Sequence, residues 1–265
     1  MLPSKDDLNI SEEGTTILFA NSKGGVGKST LALIASLGVA TRYPEALVQL
    51  VDLDKQSTSS DALNNFANSR FEVVNAQKML LDSGLPNNAN ISKHINAFKQ
   101  DNRGKRFLVF DSPAGTEPLR STFILKCDFI FVPLSVGDAD IHATHKFLDE
   151  MQELFHYEGI PKDLCPKIIV LPNMIDTRSD FDLIRRNFIE YQIYLGRGLF
   201  FLNSIRRAFR RQGTDTNLHV IFEQSKDYWM WLTDLISGKE NLPGTPDKLL
   251  PVSYTHLTLP TKRIV

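Results

Sequence analysis

Short, unbroken apolar runs alternate with longer stretches of helical spacing along most of this chain. Thr16–Ala20, Ala46–Asp54, Phe71–Val74, Arg106–Pro113, Asp128–Leu134 and Lys167–Asn173 read as strands, with a shorter apolar run at Leu199–Leu202. Each is too short for a stable helix and too continuous for a half-exposed surface strand. Between them, Leu31–Leu37, Ser57–Asn68, Ala76–Asp82, Ile91–Gln100, Asp138–Tyr157, Ser179–Leu195, Ser204–Gln212 and Gln224–Ser237 carry helical spacing or helix-opening residues. This alternation predicts an α/β fold, a mostly parallel β-sheet flanked by helices on both faces. The Gly/Pro-rich stretch Leu242–Pro246 marks a domain end. The expected organisation is an N-terminal extension over 1–14, one domain over 15–240, and a linker or truncated C-terminus over 241–251.

The stretch joining the first strand to the first helix carries the clearest chemistry. It reads Asn21-Ser22-Lys23-Gly24-Gly25-Val26-Gly27-Lys28-Ser29-Thr30. A glycine-rich turn followed by Lys-Ser, with a strand before and a helix after, is the setting of a phosphate-binding loop. Gly24, Gly25 and Gly27 allow backbone conformations that close N–H groups on phosphate oxygens, and the helix N-terminus adds its dipole. Lys28 would reach the β- and γ-phosphates, and the Ser29 hydroxyl would ligate Mg²⁺. In an open parallel sheet, ligands sit beyond the carboxyl ends of the strands. That rule places Ser29, Asp52, Asp54, Asp111 and Asn173 on one rim. Asp111 ends an apolar strand, where an acid either holds a metal shell or caps the following turn. Asp52 and Asp54 alternate at a strand end, as a metal-shell and catalytic pair or as a structural one.

The loop departs from the generic pattern, which has a glycine where Ser22 stands and no lysine at 23. Lys23-Gly24-Gly25 followed by Gly27-Lys28-Ser29 resembles the deviant Walker A motif of the ParA/MinD superfamily of P-loop ATPases. The Asn21-Ser22-Lys23 lead-in is nearer the ParA branch. Val51-Asp52-Leu53-Asp54-Lys55-Gln56-Ser57 resembles the family's Asp-x-Asp-x-Gln switch I, with Lys55 where Pro is common. Asp111-Ser112-Pro113-Ala114-Gly115 resembles its Asp-Thr-Pro-Pro-Gly switch II, with Ser112 and Ala114 as departures. The resemblance covers Thr15 to Ser237. It implies ATP and Mg²⁺ bound by Lys23 to Thr30, with Asp52, Asp111 and Ser29 around the metal. Asp54 would position or deprotonate the attacking water, Lys23 would reach the nucleotide of a partner subunit, and Asn173 would contact adenine. Without the resemblance, Lys23 reads as a surface lysine and Asn173 as a turn former.

Composition narrows the function. The 265 residues carry 30 Lys and Arg against 31 Asp and Glu, so any nucleic-acid contact must come from a local patch. Arg206, Arg207, Arg210 and Arg211 supply one, sharing a helix side, with Arg185, Arg186 and Arg197 nearby. ParA-like proteins bind DNA non-specifically through such C-terminal basic residues, in a salt-dependent, sequence-independent way. Charge runs are also ordinary solvated faces. Cys127 and Cys165 have no metal or redox spacing and read as core residues, and His142 and His145 as ordinary helix residues. The polar N-terminus carries no signal peptide, and no apolar run reaches the length of a membrane span, so a cytoplasmic protein is expected. Too little chain precedes the first strand for a helix-turn-helix, which argues against operator-specific repression. Residues 252–265 resemble the in-frame translation of a sequencing adaptor and are set aside as a probable non-native tail, His256 included.

The resemblance thus implies a ParA-type partition ATPase for a plasmid or chromosome. It would close as an ATP-dependent sandwich homodimer, bind DNA non-specifically, and hydrolyse ATP under a ParB-like partner. Two rival readings share the scaffold: a MinD-like membrane-associated positioning ATPase and a small-molecule ligase or kinase. An iron–sulfur reductase is disfavoured, because Cys165 has no matching context for a cluster ligand.

Overall fold

A computed structural model describes residues 14–54, 71–75, 79–81, 87–101, 103–200 and 222–246. Eight strands form one sheet: β1 (Thr15–Phe19), β2 (Leu47–Asp52), β3 (Phe71–Asn75), β4 (Arg106–Asp111), β5 (Phe129–Leu134), β6 (Lys167–Ile175), β7 (Tyr194–Leu195) and β8 (Leu199–Phe200). The order across the sheet is β3-β2-β4-β1-β5-β6-β7, with β8 also on β6, and every pairing is parallel. Such a sheet needs cover on both faces, which explains why the strand sequences are apolar at consecutive positions.

The described helices are α1 (Lys28–Arg42), α2 (Asn88–Gln100), α3 (Asp138–Tyr157), α4 (Arg178–Asn187) and α5 (Lys226–Ile236). On one face, α1 and α5 bury Leu31, Ile34, Val39, Trp229 and Leu232 against Phe19, Leu50, Phe107 and Phe131. On the other, α2, α3 and α4 bury Ile91, Ile95, Phe147, Met151 and Ile184 against Leu18, Phe110, Val132 and Val170. Neighbouring strand residues Leu18 and Phe19 therefore belong to opposite cores, as the two-residue period requires. Two short 3-10 turns, Pro118–Arg120 and Thr122–Lys126, follow β4.

The architecture is the expected α/β sheet with helices on both faces, and the expected strands agree in their bounds within two residues, the end of the run expected at Leu199–Leu202 lying outside the described residues. Four elements differ from expectation, and the first is α1, which runs over Lys28–Arg42 rather than Leu31–Leu37. The helix expected over Ser179–Leu195 ends at Asn187. Phe188 closes it, and the next apolar residues turn back so that Tyr194 and Leu195 pair with β6. The helix-like spacing of Phe181, Ile184, Phe188, Tyr191 and Leu195 reflects their packing against one core, which the chain achieves beyond Phe188 without a helix. The helix expected from Ile91 starts at Asn88, because the Asn87 side chain accepts from the Asn90 N–H as a cap. Strand β6 runs to Ile175, so Asn173 lies inside it. The helices expected at Ser57–Asn68 and Ser204–Gln212 lie outside the described residues, as does most of Ala76–Asp82.

At the centre of the sheet, Phe131 is fully buried, with its ring 5.1 Å from Phe19 and 6.0 Å from Phe129. Phe131→Ala should therefore lower the unfolding free energy by about 3–5 kcal/mol in urea denaturation. A loss below about 1 kcal/mol would contradict this core assignment.

Candidate functional site

Parallel register sets the frame of the site. Phe19 at the end of β1 pairs with Asp111 at the end of β4, and Asp111 pairs in turn with Asp52 at the end of β2. The sheet thus brings two buried carboxylates side by side at the exit of β1, where the glycine-rich loop begins. The Leu53 N–H donates to the Asp111 carbonyl at 2.9 Å, and the Asp54 N–H to Asp52 Oδ1 at 3.0 Å. The three acids are therefore one connected unit.

The loop itself is held by buried amides. Asn21 is fully buried, and both of its side-chain hydrogens are used, on the Pro133 carbonyl at 2.9 Å and on Thr144 Oγ1 at 2.8 Å. Its Oδ1 accepts from the Lys23 N–H at 3.0 Å, and the Ser22 hydroxyl donates to the Ala143 carbonyl at 3.1 Å. These bonds tie the loop entry to β5 and α3. Downstream, Gly25 and Gly27 have φ values of 80° and 99°, a region that side chains disfavour. Gly27 is also the N-cap of α1, which has neither a side-chain cap nor an acidic residue in its first turn. The first-turn amides around Ser29 and Thr30 therefore face the loop with the helix dipole behind them.

Lys28 lies inside this turn, and its Nζ donates to the Lys23 carbonyl at 2.7 Å. Burial pushes its ammonium below the ordinary lysine range, while Asp111 and Asp54 pull the other way. The two acids thus stand close enough to Lys28 to be felt, which places the three charged groups in one site. Lys23 Nζ lies 3.8 Å from Asp140 Oδ1 in the first turn of α3, and Asp140 also contacts the Ser135 hydroxyl. Asn173 is buried, and its Nδ2 donates to the Val26 carbonyl at 2.8 Å.

The structure thus brings Lys23 to Thr30, Asp52, Asp54, Asp111 and Asn173 to one end of the sheet. Arg206, Arg207, Arg210 and Arg211 lie outside the described residues, as do Lys55, Gln56 and Ser57. Of the flanking arginines, Arg185 donates to the Pro246 carbonyl, Arg186 to the Asp182 carbonyl, and Arg197 sits over the Trp231 ring. His145 stacks on Phe188 and meets the Tyr191 hydroxyl. Asn21 and Asp140 went unassigned in the sequence. Asn21 had a signal, since an amide at the end of a buried strand must find partners. Asp140, in the first turn of α3, had none.

The donor set suits a nucleotide and a hard cation. Carboxylates and a hydroxyl are the ligands Mg²⁺ prefers, and the turn at Gly25 leaves open space where a side chain would stand. Among the described residues, no helix is long and apolar enough to cross a membrane.

Comparison with known proteins agrees with this geometry. Residues 17–212 match the family described as the CobQ/CobB/MinD/ParA nucleotide binding domain. The Maintenance of carboxysome distribution protein A of Halothiobacillus neapolitanus is 26% identical over 143 residues. That match spans 54% of this chain and 60% of the relative's length. The apo structure of Cyanothece McdA superposes with a TM-score of 0.58 at 15% identity, covering 82% of this chain and 96% of that one. The structure of pNOB8 ParA bound to nonspecific DNA gives 0.55 at 13% identity, over 84% and 97%. At such identities the two structures speak for the fold alone.

A buried ammonium with depressed proton affinity costs stability at neutral pH. Lys28→Met should leave the ligand-free protein at least as stable as the wild type in thermal melts near pH 7. Because the penalty is relieved as pH rises from the lowered native value toward the ordinary 10.5, any advantage of the variant should shrink in alkali. A clear drop in melting temperature at pH 7 would contradict this.

Proposed function

From a chain that belongs to the CobQ/CobB/MinD/ParA nucleotide-binding family, we propose an ATP-hydrolysing positioning protein of the ParA type. The observation that carries this is the meeting of Lys23, Lys28, Asp54 and the Asp52–Asp111 pair around a glycine turn at a helix N-terminus. ATP binds with its phosphates against the amides of Gly24 to Thr30. Ser29, Asp52 and Asp111 would hold Mg²⁺, whose chemistry there would be to offset negative charge on the phosphates. Asp54 orients a water and accepts its proton as the water oxygen attacks the γ-phosphorus. The bond to the bridging oxygen breaks, and ADP and phosphate leave. Lys28 balances charge on the transferred group throughout.

Lys23 is the switch in this reading. It reaches the phosphates of a second copy, so ATP closes a sandwich homodimer, and the cation supplied in trans accelerates hydrolysis. The dimer binds DNA non-specifically through Arg206, Arg207, Arg210 and Arg211, and a ParB-like partner triggers release. The domain runs over 15–240 and acts in the cytoplasm. The relative named for carboxysome distribution supports a positioned cargo, and the DNA contact rests on the basic residues alone. Plasmid or chromosome partition is the cargo role that the ParA-like lead-in favours.

Asp54→Ala should keep ATP-dependent dimers in light scattering while slowing phosphate release by at least about a hundredfold. Wild-type turnover in that variant would remove Asp54 from the chemistry. Changing Arg206, Arg207, Arg210 and Arg211 together to Glu should abolish the ATP-dependent, salt-sensitive gel shift of non-specific DNA and leave ATP affinity intact. A persisting shift would put the DNA contact elsewhere.

A further inference from the structure

Asn173 has a place in the fold that base recognition does not explain. It interrupts an apolar strand, Ile168-Ile169-Val170-Leu171-Pro172, and its side chain is buried. A buried primary amide is costly unless bonded. Its side-chain hydrogen bond crosses to the glycine loop, Nδ2 to the Val26 carbonyl at 2.8 Å. The same nitrogen occupies the position where a Cβ on Gly27 would stand. The backbone of β6 is bent at this point. Met174 has a left-handed φ of 55°, and pairing with β8 shifts register between Asn173 and Ile175. A strained residue inside a strand is kept when it aims a neighbour at something.

Peptide planarity gives the bond its consequence. In a trans peptide, the carbonyl and the following N–H point in opposite directions. Drawing the Val26 carbonyl toward β6 turns the Gly27 N–H away from β6. We infer that Asn173 is a positioning residue for the phosphate loop: it fixes the Val26–Gly27 peptide so that the Gly27 N–H is presented to the anion. This rests on the nucleotide reading above and replaces adenine contact as the main task of the Asn173 side chain. Glycine at 27 is then required twice, by its φ of 99° and by the amide packed against it.

Binding of ATP, GTP and inorganic tripolyphosphate by calorimetry separates the alternatives, because tripolyphosphate has no base to read. Asn173→Ala should weaken all three by a common factor of about fivefold or more and leave the ATP-to-GTP ratio unchanged. Asn173→Asp places a carboxylate against the carbonyl and should bind more weakly than Asn173→Ala at neutral pH. Relative to wild type, it should recover toward pH 5, where the protonated carboxyl can donate. Asn173→Ala should show no such pH dependence. Melting curves of the ligand-free variants identify any that do not fold, and the Asp variant's pH response is read on folded protein.

Loss of ATP affinity with tripolyphosphate unchanged would overturn the inference in favour of a base contact. Unchanged affinity for all three would overturn it outright. Wild-type protein that binds neither nucleotide nor tripolyphosphate would instead sink the nucleotide reading itself.

Discussion

Level strand ends are the constraint on which the rest of this structure depends. β1, β4 and β2 lie side by side in parallel register, so Phe19, Asp111 and Asp52 finish at one height. Were β2 displaced by one residue, its side chains would exchange faces, and Asp52 would leave the position beside Asp111. A slip would also exchange Leu50 and Val51 between two close-packed cores, which the mismatch in side-chain shape opposes. Hydrophobic packing therefore sets the spacing of the charged groups. The acids themselves contribute little to holding the strands.

The loop that meets those acids is built from polar groups in places where polar groups are expensive. Asn21, Lys28 and Asn173 are all buried, and each donates to a backbone carbonyl. Amide-to-carbonyl bonds in a dry setting are directional and costly to break, so they fix a conformation more firmly than apolar contacts would. Gly24 and Gly25, between the anchored ends, are exposed. Stiffness is thus concentrated at the two ends of the turn, and its crest is left compliant.

Much of this was legible in the sequence. The strand pattern and the Gly-Gly-x-Gly-Lys-Ser run are local signals, and they located the sheet and the loop to within a residue or two. The ends of β2 and β4 followed from acids closing apolar runs. What escaped was nonlocal. Asn21 meets Thr144, and Asn173 meets Val26, across separations that no periodicity encodes. The overextended helix at Ser179–Leu195 failed for a related reason. Phe181, Ile184, Phe188, Tyr191 and Leu195 keep helical spacing, but the edge of β6 offered Tyr194 and Leu195 a ladder that local propensity cannot foresee.

The amide clamp on the loop also has a neighbour on its far side. Within the sheet, Asn173 is paired with Leu199 of β8, and the chain leaving β8 runs directly into the stretch that contains the four clustered arginines. The Asn173 amide and the strand that ends at Phe200 therefore share a single strand pair with one irregular step. A pull on the Val26–Gly27 peptide would thus be felt by β8 as well as by β6.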